Sequence, residues 1–295
     1  MSSTELMITK EKTKMEIKSP YPGLRPFQAE DSEFFFGREK QITEIVNRLK
    51  ANRVVAVIGG SGSGKSSLVL AGAIPKLRSF AIRDSGDFWI PIITTPGTNY
   101  TEGKNPLRRL AEKFCEVLKV LPLQEELNRI ETCTHLLSQK NGLNMLINEF
   151  GRDLKNNQGV DLSLKAYSER VDVANPVDLD EDSSSDSSYL VKVNFLFIID
   201  QFEELFHPSN VSVAKQCELL VARIIDHFKS GNQTNSRICV AITMRSEHLN
   251  ECPRYQELPD VINSAVYLVK RLDKDNLRKA IELPAKAFLR RQFQR

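Results

Sequence analysis

The stretch that decides the fold is Val54-Val55-Ala56-Val57-Ile58-Gly59-Gly60-Ser61-Gly62-Ser63-Gly64-Lys65-Ser66-Ser67. Its first five residues are apolar and mostly β-branched, which is typical of a strand buried on both faces. The residues from Gly59 to Ser66 then match the pattern G-x-x-x-x-G-K-[ST]. A helix is predicted to follow from Lys65 to Ile74 and to end before Pro75. A strand, a glycine-rich turn and a helix in this order indicate a phosphate-binding loop.

The residue types in this loop suit a nucleoside triphosphate with a divalent ion. The glycines allow backbone N–H groups to point into one concavity, and the helix N-terminus adds partial positive charge. Lys65 can reach the β- and γ-phosphates, the Ser66 hydroxyl can ligate Mg²⁺, and Ser67 is placed for the α-phosphate. A flexible Gly/Ser turn is the competing interpretation. The candidate nucleotide-binding residues here are Gly59, Gly60, Ser61, Gly62, Ser63, Gly64, Lys65, Ser66 and Ser67.

A second apolar strand, from Val193 to Ile199, ends in the carboxylate of Asp200. Ligands of open α/β sheets gather at the carboxyl edge of the strands, so Asp200 is a candidate for holding Mg²⁺ through a water. Glu203 and Glu204 follow, and either carboxylate could orient and polarise an attacking water, with Glu204 preferred. The competing interpretation is that both acids only complement a helix N-terminus.

Arg245 follows another strand, from Ile238 to Thr243, at the same expected edge. A guanidinium there could pair with the γ-phosphate and distinguish ATP from ADP, because its fork matches phosphate geometry. The alternative is a surface ion pair with Glu247 or Glu251. Adenine is favoured over guanine, since no Asn/Thr-Lys-x-Asp element follows this strand.

The alternation of strands and helices predicts an α/β fold, with a mainly parallel five-stranded sheet in a three-layer α-β-α arrangement. We expect residues 1–18 to be a disordered leader and 19–270 to be the core. Residues 156–189 are expected to be a disordered insertion, since the stretch from Pro176 to Ser188 is rich in acidic residues and Ser and has no basic residue. Residues 271–295 read as the incomplete start of a helical lid, with its helix stopped by Pro284.

Composition excludes several classes of protein. The chain has 295 residues, of which 41% are hydrophobic and 27% charged, values typical of a folded globular protein. No apolar run reaches the roughly 18 residues of a membrane span, and no signal peptide is visible, so a cytoplasmic location is expected. The five cysteines are expected to be reduced, and the four histidines show no metal-ligand spacing. The basic C-terminal stretch lacks aromatic interleaving, which argues against nucleic acid.

Taken together, the motifs resemble the STAND class of signal-transducing NTPases, and most closely its bacterial novel-STAND branch, whose nucleotide domain is similar to NACHT modules. The resemblance rests on the proline-rich strap from Ser19 to Phe27, on Phe35 to Glu39, on the phosphate-binding loop, on Asp200 to Glu204, and on Thr243 to Ser246.

The resemblance implies roles for further residues. Phe36, Gly37 and Arg38 match an element that lies near the adenine and sugar, and Pro284 matches one that covers the base, although Glu282 stands where a Gly is expected. By the same resemblance, Asp200, Glu203 and Glu204 are the Walker B acids and Arg245 is the sensor. The implied cofactors are ATP or ADP and Mg²⁺.

The implied function is a Mg-dependent ATP-binding and slowly hydrolysing switch in prokaryotic defence or regulatory signalling, with protein partners or self-association on ATP binding. Two alternatives stay open: a nucleotide-binding scaffold without turnover, and a motor-type ATPase acting on DNA or protein. Relatives continue into winged-helix, sensor and effector regions. From their absence we expect a truncated product, a fragment or a split system.

Overall fold

The computed structural model describes residues 19–84, 88–97, 105–117, 123–156, 193–230 and 237–293. The expected disordered leader, residues 1–18, lies outside this part of the chain. So does the expected insertion at 156–189, except for its first residue, which ends a helix.

Five strands form one sheet in which every neighbouring pair is parallel. The spatial order is β2-β3-β4-β1-β5. This confirms the predicted α/β fold and its five-stranded sheet. Pro91 has no backbone N–H to donate, and β2 tolerates it because β2 is an edge strand. The strands are β1 (Val54–Gly59), β2 (Phe88–Thr94), β3 (Val193–Ile199), β4 (Ile238–Arg245) and β5 (Val266–Leu268).

Helices connect these strands and cover both faces of the sheet. They are α1 (Glu39–Asn52), α2 (Lys65–Ser67), α3 (Ile74–Asp84), α4 (Pro106–Val117), α5 (Leu123–Ser138), α6 (Gly142–Asn156), α7 (Val211–Ser230), α8 (Leu258–Ala265) and α9 (Lys274–Phe293). Three 3₁₀ helices span Ala29–Phe34, Phe202–Phe206 and Ser246–Arg254, and a π-helical turn spans Leu68–Ala73.

Two apolar cores lie on opposite sides of the sheet. Alternate residues of a strand point to opposite faces, and accordingly Val54, Ala56 and Ile58 belong to one core while Val55 and Val57 belong to the other. The first core includes side chains from α4 to α8, and the second includes side chains from α1, the π-helical turn and α3. The layers therefore follow the predicted α-β-α order.

Two expectations about prolines were wrong. The helix after the loop does not end before Pro75 but continues to Asp84. The Ile74 N–H bonds the carbonyl of Val69, five residues back, and this wider turn relieves the clash that a proline makes in a regular α-helix. Pro284 likewise does not stop its helix, since α9 runs through it to Phe293. Pro284 is buried, so packing holds the helix together where one hydrogen bond is lost.

The proline-rich strap lies between the phosphate-binding loop and α9. The Tyr21 hydroxyl donates to the carbonyl of Ile281 on α9 at 2.5 Å, and the N–H of Phe27 donates to Ser67 Oγ at 3.1 Å. The strap is therefore anchored at one end on the last helix and at the other on the helix that follows the loop.

The remaining global expectations concern membranes and cysteines. Within the described ranges, we find no helix with the length and apolarity needed to span a bilayer. All five cysteines are free and buried, as expected for reduced thiols that pack in the core.

Candidate functional site

Strand order and register bring the predicted site residues to one edge of the sheet. Strand β4 lies between β1, which leads into the phosphate-binding loop, and β3, which leads into Asp200. The register pairs Gly59 with Arg245 and Ile199 with Ile242. Because all strands are parallel, their carboxyl ends meet at this edge, where ligands of such sheets bind.

A carboxylate and two hydroxyl groups meet at the centre of this edge. The Ser66 hydroxyl donates to Asp200 Oδ1 at 2.8 Å, and the Thr243 hydroxyl donates to the same oxygen at 2.5 Å. Thr243 Oγ1 also accepts the N–H of Gln201 at 3.1 Å. Asp200 and Thr243 are both buried, with 9% and 1% of their surface exposed. The two predicted metal-binding residues, Ser66 and Asp200, are therefore in direct contact.

Thr243 was given no role on the sequence alone. The signal that could have found it is its position as a hydroxyl residue at the end of an apolar strand, two residues before Arg245. Its contact with Asp200 follows from register, because both residues come directly after the paired Ile199 and Ile242.

Lys65 folds back onto the loop that precedes it. Its ammonium group donates to the carbonyl oxygens of Gly59 and Gly60, both at 2.9 Å. Desolvation lowers the pKa of Lys65, and the nearby Glu203 opposes this shift. An ammonium group has three donors, so an incoming phosphate can be met by rotation of this side chain over the loop.

The loop has the backbone of an anion cradle. Gly62 and Gly64 have φ angles of +72° and +85°, a region that side-chain-bearing residues rarely adopt. A Cβ on Gly59 would lie 2.9 Å from Ser63 Oγ and 3.2 Å from Val269 Cβ, so a side chain there would require these neighbours to shift. The Ser63 hydroxyl is buried and has no hydrogen-bond partner among the described residues. An orphaned hydroxyl beside the unpaired N–H groups of a helix start fits a phosphate-binding loop.

Glu203 and Arg245 form an ion pair across the site. Arg245 Nε lies 3.2 Å from Glu203 Oε1, and the Arg245 N–H donates to Oε2 at 3.3 Å. The Glu203 side chain is 10% exposed and that of Arg245 is 50% exposed. The alternative of an Arg245 pair with Glu247 or Glu251 is not what the structure shows. Both oxygens of Glu203 are engaged by the predicted sensor residue.

Glu204 has a different environment from its neighbour. Its Oε2 accepts the N–H of Gly97, which follows β2, at 2.5 Å. Desolvation raises the pKa of Glu204, while the hydrogen bond from Gly97 acts in the opposite direction. Gly97 was not identified from the sequence, because the glycine lies 107 residues from Glu204. Glu204 thus combines a raised pKa with a carboxylate that is held through Oε2.

Arg38 connects the loop to the segment that follows β5. Its Nη2 donates to the Ser63 carbonyl at 3.0 Å, and its Nη1 donates to the Lys270 carbonyl at 2.8 Å. Burial lowers its pKa. The neighbouring Gly37 has a φ of +80°, and a Cβ there would lie 2.3 Å from the Asn276 carbonyl oxygen. This element therefore packs directly against the start of α9.

Three predicted nucleotide contacts lie around this arrangement. The Ser67 hydroxyl accepts the strap N–H of Phe27, Phe36 is partly buried next to Gly37, and Pro284 is buried on α9. The Arg38 contacts place Gly37 and Arg38 beside the loop. Base contact by Phe36 and Pro284, and phosphate contact by Ser67, stay predictions.

The histidine expectation needs one correction. His207 and His248 are not isolated from each other. One ring nitrogen of each and a carboxylate oxygen of Glu251 all lie within 4.8 Å of one another. Sequence spacing could not show this, because the two histidines are 41 positions apart and follow different strands.

The fold and this edge define a P-loop NTPase module, with a glycine-rich loop and a lysine that follow β1 and an acidic residue that follows β3. A family model described as Novel STAND NTPase 1 matches residues 20–292. The chain therefore belongs to the novel STAND NTPase 1 family, which confirms the resemblance stated from the motifs.

Comparison with solved structures finds a Walker-type ATPase of Pyrococcus abyssi. It shares 15% sequence identity with this chain at a TM-score of 0.36, and the match covers 92% of this chain and 61% of that one. This chain thus spans less than two thirds of the archaeal protein. No match was found among curated proteins.

Proposed function

We propose that this NTPase module binds Mg-ATP and hydrolyses it slowly, as the nucleotide-operated switch of a signalling protein. The observation that carries the proposal is the 2.8 Å contact between Ser66 Oγ and Asp200 Oδ1. These two oxygen ligands come from the loop and from the acidic strand, and oxygen ligands beside phosphate are what Mg²⁺ requires.

Ser66 and Asp200 would hold the ion, and Thr243 would orient the Asp200 carboxylate. An ion held by these residues would supply positive charge against the charge that develops on the phosphate oxygens. Lys65 exchanges its contacts with the Gly59 and Gly60 carbonyls for the β- and γ-phosphates. Binding thus replaces contacts within the loop by contacts with the ligand.

Glu204 is the proposed catalytic base. A carboxylate whose pKa is raised accepts a proton from water more readily than an ordinary one once it is ionised. Its Oε2 is held by the Gly97 N–H, which leaves Oε1 to orient the attacking water. Glu203 is instead assigned to hold Arg245, since both of its oxygens face that residue.

Arg245 supplies the proposed response to the γ-phosphate. Its side chain is half exposed and is paired with Glu203, so a γ-phosphate can compete with Glu203 for the guanidinium. The 3₁₀ helix Ser246–Arg254 directly follows Arg245 in the chain. We propose that this exchange distinguishes ATP from ADP and biases the packing of α9, which Gly37 and the strap contact, between two arrangements.

The division of the chain is part of the same proposal. We propose a nucleotide-binding core over 19–270 and the beginning of a helical lid from 271, operating in the cytosol with protein partners or through self-association. The Asn276 contact to Gly37 and the Tyr21 bond to Ile281 are the points at which the core and this lid segment would influence each other.

Calorimetry with ATP and ADP, with and without Mg²⁺, tests binding. Wild type and the surface control Lys40→Ala are expected to bind, and Lys65→Ala is expected to lose affinity. A folded wild-type protein that binds neither nucleotide contradicts the proposal.

Phosphate release separates the alternatives. A rate that depends on Glu204 supports hydrolysis, whereas binding with background release supports a scaffold without turnover. Stimulation by DNA or by an unfolded polypeptide would support a motor-type ATPase instead.

A further inference from the structure

A cluster of three potential metal ligands lies beyond the proposed nucleotide site. His207 directly follows the 3₁₀ helix Phe202–Phe206, and His248 and Glu251 lie on the 3₁₀ helix Ser246–Arg254. His207 Nε2 is 3.3 Å from Glu251 Oε1, and His248 Nδ1 is 2.5 Å from the same oxygen. The two imidazole rings are 5.7 Å apart and nearly perpendicular, at 70°.

The arrangement of the carboxylate suits ligation through one oxygen. Both histidines face Oε1 of Glu251, while Oε2 is 3.4 Å from Arg254 Nη1. Arg254 also donates to the Phe206 carbonyl. Arg254 thus orients the carboxylate from one side and leaves Oε1 directed at the two rings.

One separation in the cluster equals that of a coordination sphere, and another is shorter. Bond lengths of 2.0–2.1 Å and a tetrahedral angle put neighbouring ligand atoms about 3.3 Å apart around Zn²⁺. The separation between His207 Nε2 and Glu251 Oε1 is 3.3 Å, and all three ligand atoms lie within 4.8 Å of one another. The 2.5 Å between His248 Nδ1 and Glu251 Oε1 must widen to about 3.3 Å when an ion enters, and the His207 side chain, 55% exposed, can rotate to follow.

We propose that His207, His248 and Glu251 form a binding site for a borderline divalent transition ion of the zinc type. Two imidazoles and a carboxylate are ligands that Zn²⁺ prefers and Mg²⁺ does not, and water completes the fourth position. The ion joins the segment after the Walker B acids to the segment after Arg245. The Tyr255 hydroxyl already bonds the Leu205 carbonyl at 3.0 Å between these segments, and the ion clamps them further.

The test is a Zn²⁺ titration of nucleotide-free protein, read by competition with a chromophoric chelator in excess Mg²⁺. Wild type is expected to bind one ion. His207→Ala and His248→Ala are each expected to lower the affinity at least about tenfold, since loss of even an outer-shell partner costs that much. His135→Ala is the matched control, because His135 is exposed on α5 away from the cluster, and it is expected to bind as wild type does.

Two further readouts exclude other sources of binding. Co²⁺ bound at this site is expected to show visible ligand-field bands without the intense thiolate charge-transfer band, which separates it from the buried cysteines. Zn²⁺ is expected to raise the unfolding temperature of wild type but not of His207→Ala. Absent stoichiometric binding, unchanged binding in His207→Ala or a thiolate band overturns the proposal. No nucleotide is present, so failure here and failure of the proposed ATP binding are separate results.

Discussion

The two ends of the nucleotide edge are built in different ways. At the metal-binding end, the pairing of β3 with β4 fixes the positions of Asp200 and Thr243. Both residues are buried, and the Thr243 hydroxyl donates a hydrogen bond to Asp200. At the catalytic end, Glu204 and Arg245 stand at the starts of two 3₁₀ helices and are partly exposed. The first end is part of the folded core, whereas the second can change without disturbing it. Binding and turnover should therefore respond to different substitutions.

Glu204→Gln gives the largest expected effect, and it acts at the catalytic end. Removal of a general base costs at least about 100-fold in rate, while the amide keeps the size of the side chain and an acceptor for Gly97. Phosphate release is expected to fall by that factor with ATP affinity within about twofold, the scatter of independent sites. Glu131→Gln, on the exposed side of α5, is the matched control. Equal loss of binding and turnover would show that the two ends are not separable.

Thr243→Val tests the metal-binding end. Valine has the shape of threonine but leaves the Gln201 N–H without its acceptor and Asp200 without one donor. An unsatisfied buried donor costs about 1–3 kcal/mol, so the free energy of unfolding in urea is expected to fall by this amount, and Mg²⁺-dependent ATP binding is expected to weaken.

The control for Thr243→Val is Thr132→Val, because Thr132 is exposed and its hydroxyl donates to the Asn128 carbonyl of the same helix. If Thr243→Val unfolds at the same urea concentration as wild type but shows weaker Mg²⁺-dependent ATP binding, the metal-binding end, too, is independent of the core.

Arg245→Gln is expected to cost little stability. An ion pair with a half-exposed arginine contributes under about 1 kcal/mol, so urea unfolding should change by less than that. The preference for ATP over ADP is expected to shrink severalfold, because the guanidinium can no longer meet the γ-phosphate. Arg290→Gln on the exposed side of α9 is the control. An unchanged ATP/ADP ratio would remove Arg245 from the sensing role.

The same contrast explains what the sequence could predict. The contact between Ser66 and Asp200 joins residues 134 positions apart, yet it follows from two apolar strands that end at one edge of a parallel sheet. The partner of Arg245 was not predictable, because nearby acids in the sequence compete with Glu203 and loop geometry decides among them. Gly97 and the His207 cluster were missed for the same reason, since neither has a local pattern.

The proline errors have another cause. Local propensity treats Pro75 and Pro284 as helix ends. A π-turn before the first and burial of the second override that propensity, and neither is visible before the packing is known.

The smallest expected effect concerns the acidic limb of the pH profile of hydrolysis. Because desolvation raises the pKa of Glu204, this carboxylate stays protonated to a higher pH than an ordinary glutamate. A protonated base cannot accept the proton of water, so the rate falls as pH decreases through the raised pKa and is full above it. Replacing Glu203 with glutamine removes a negative charge that raises the pKa of Glu204, and the limb is then expected to move to lower pH. Single-turnover rates from pH 5 to 8, the range in which an ordinary glutamate is ionised, measure this shift. ATP binding over the same range serves as the control. A limb at the same pH in both proteins would show that a group other than Glu204 sets the profile.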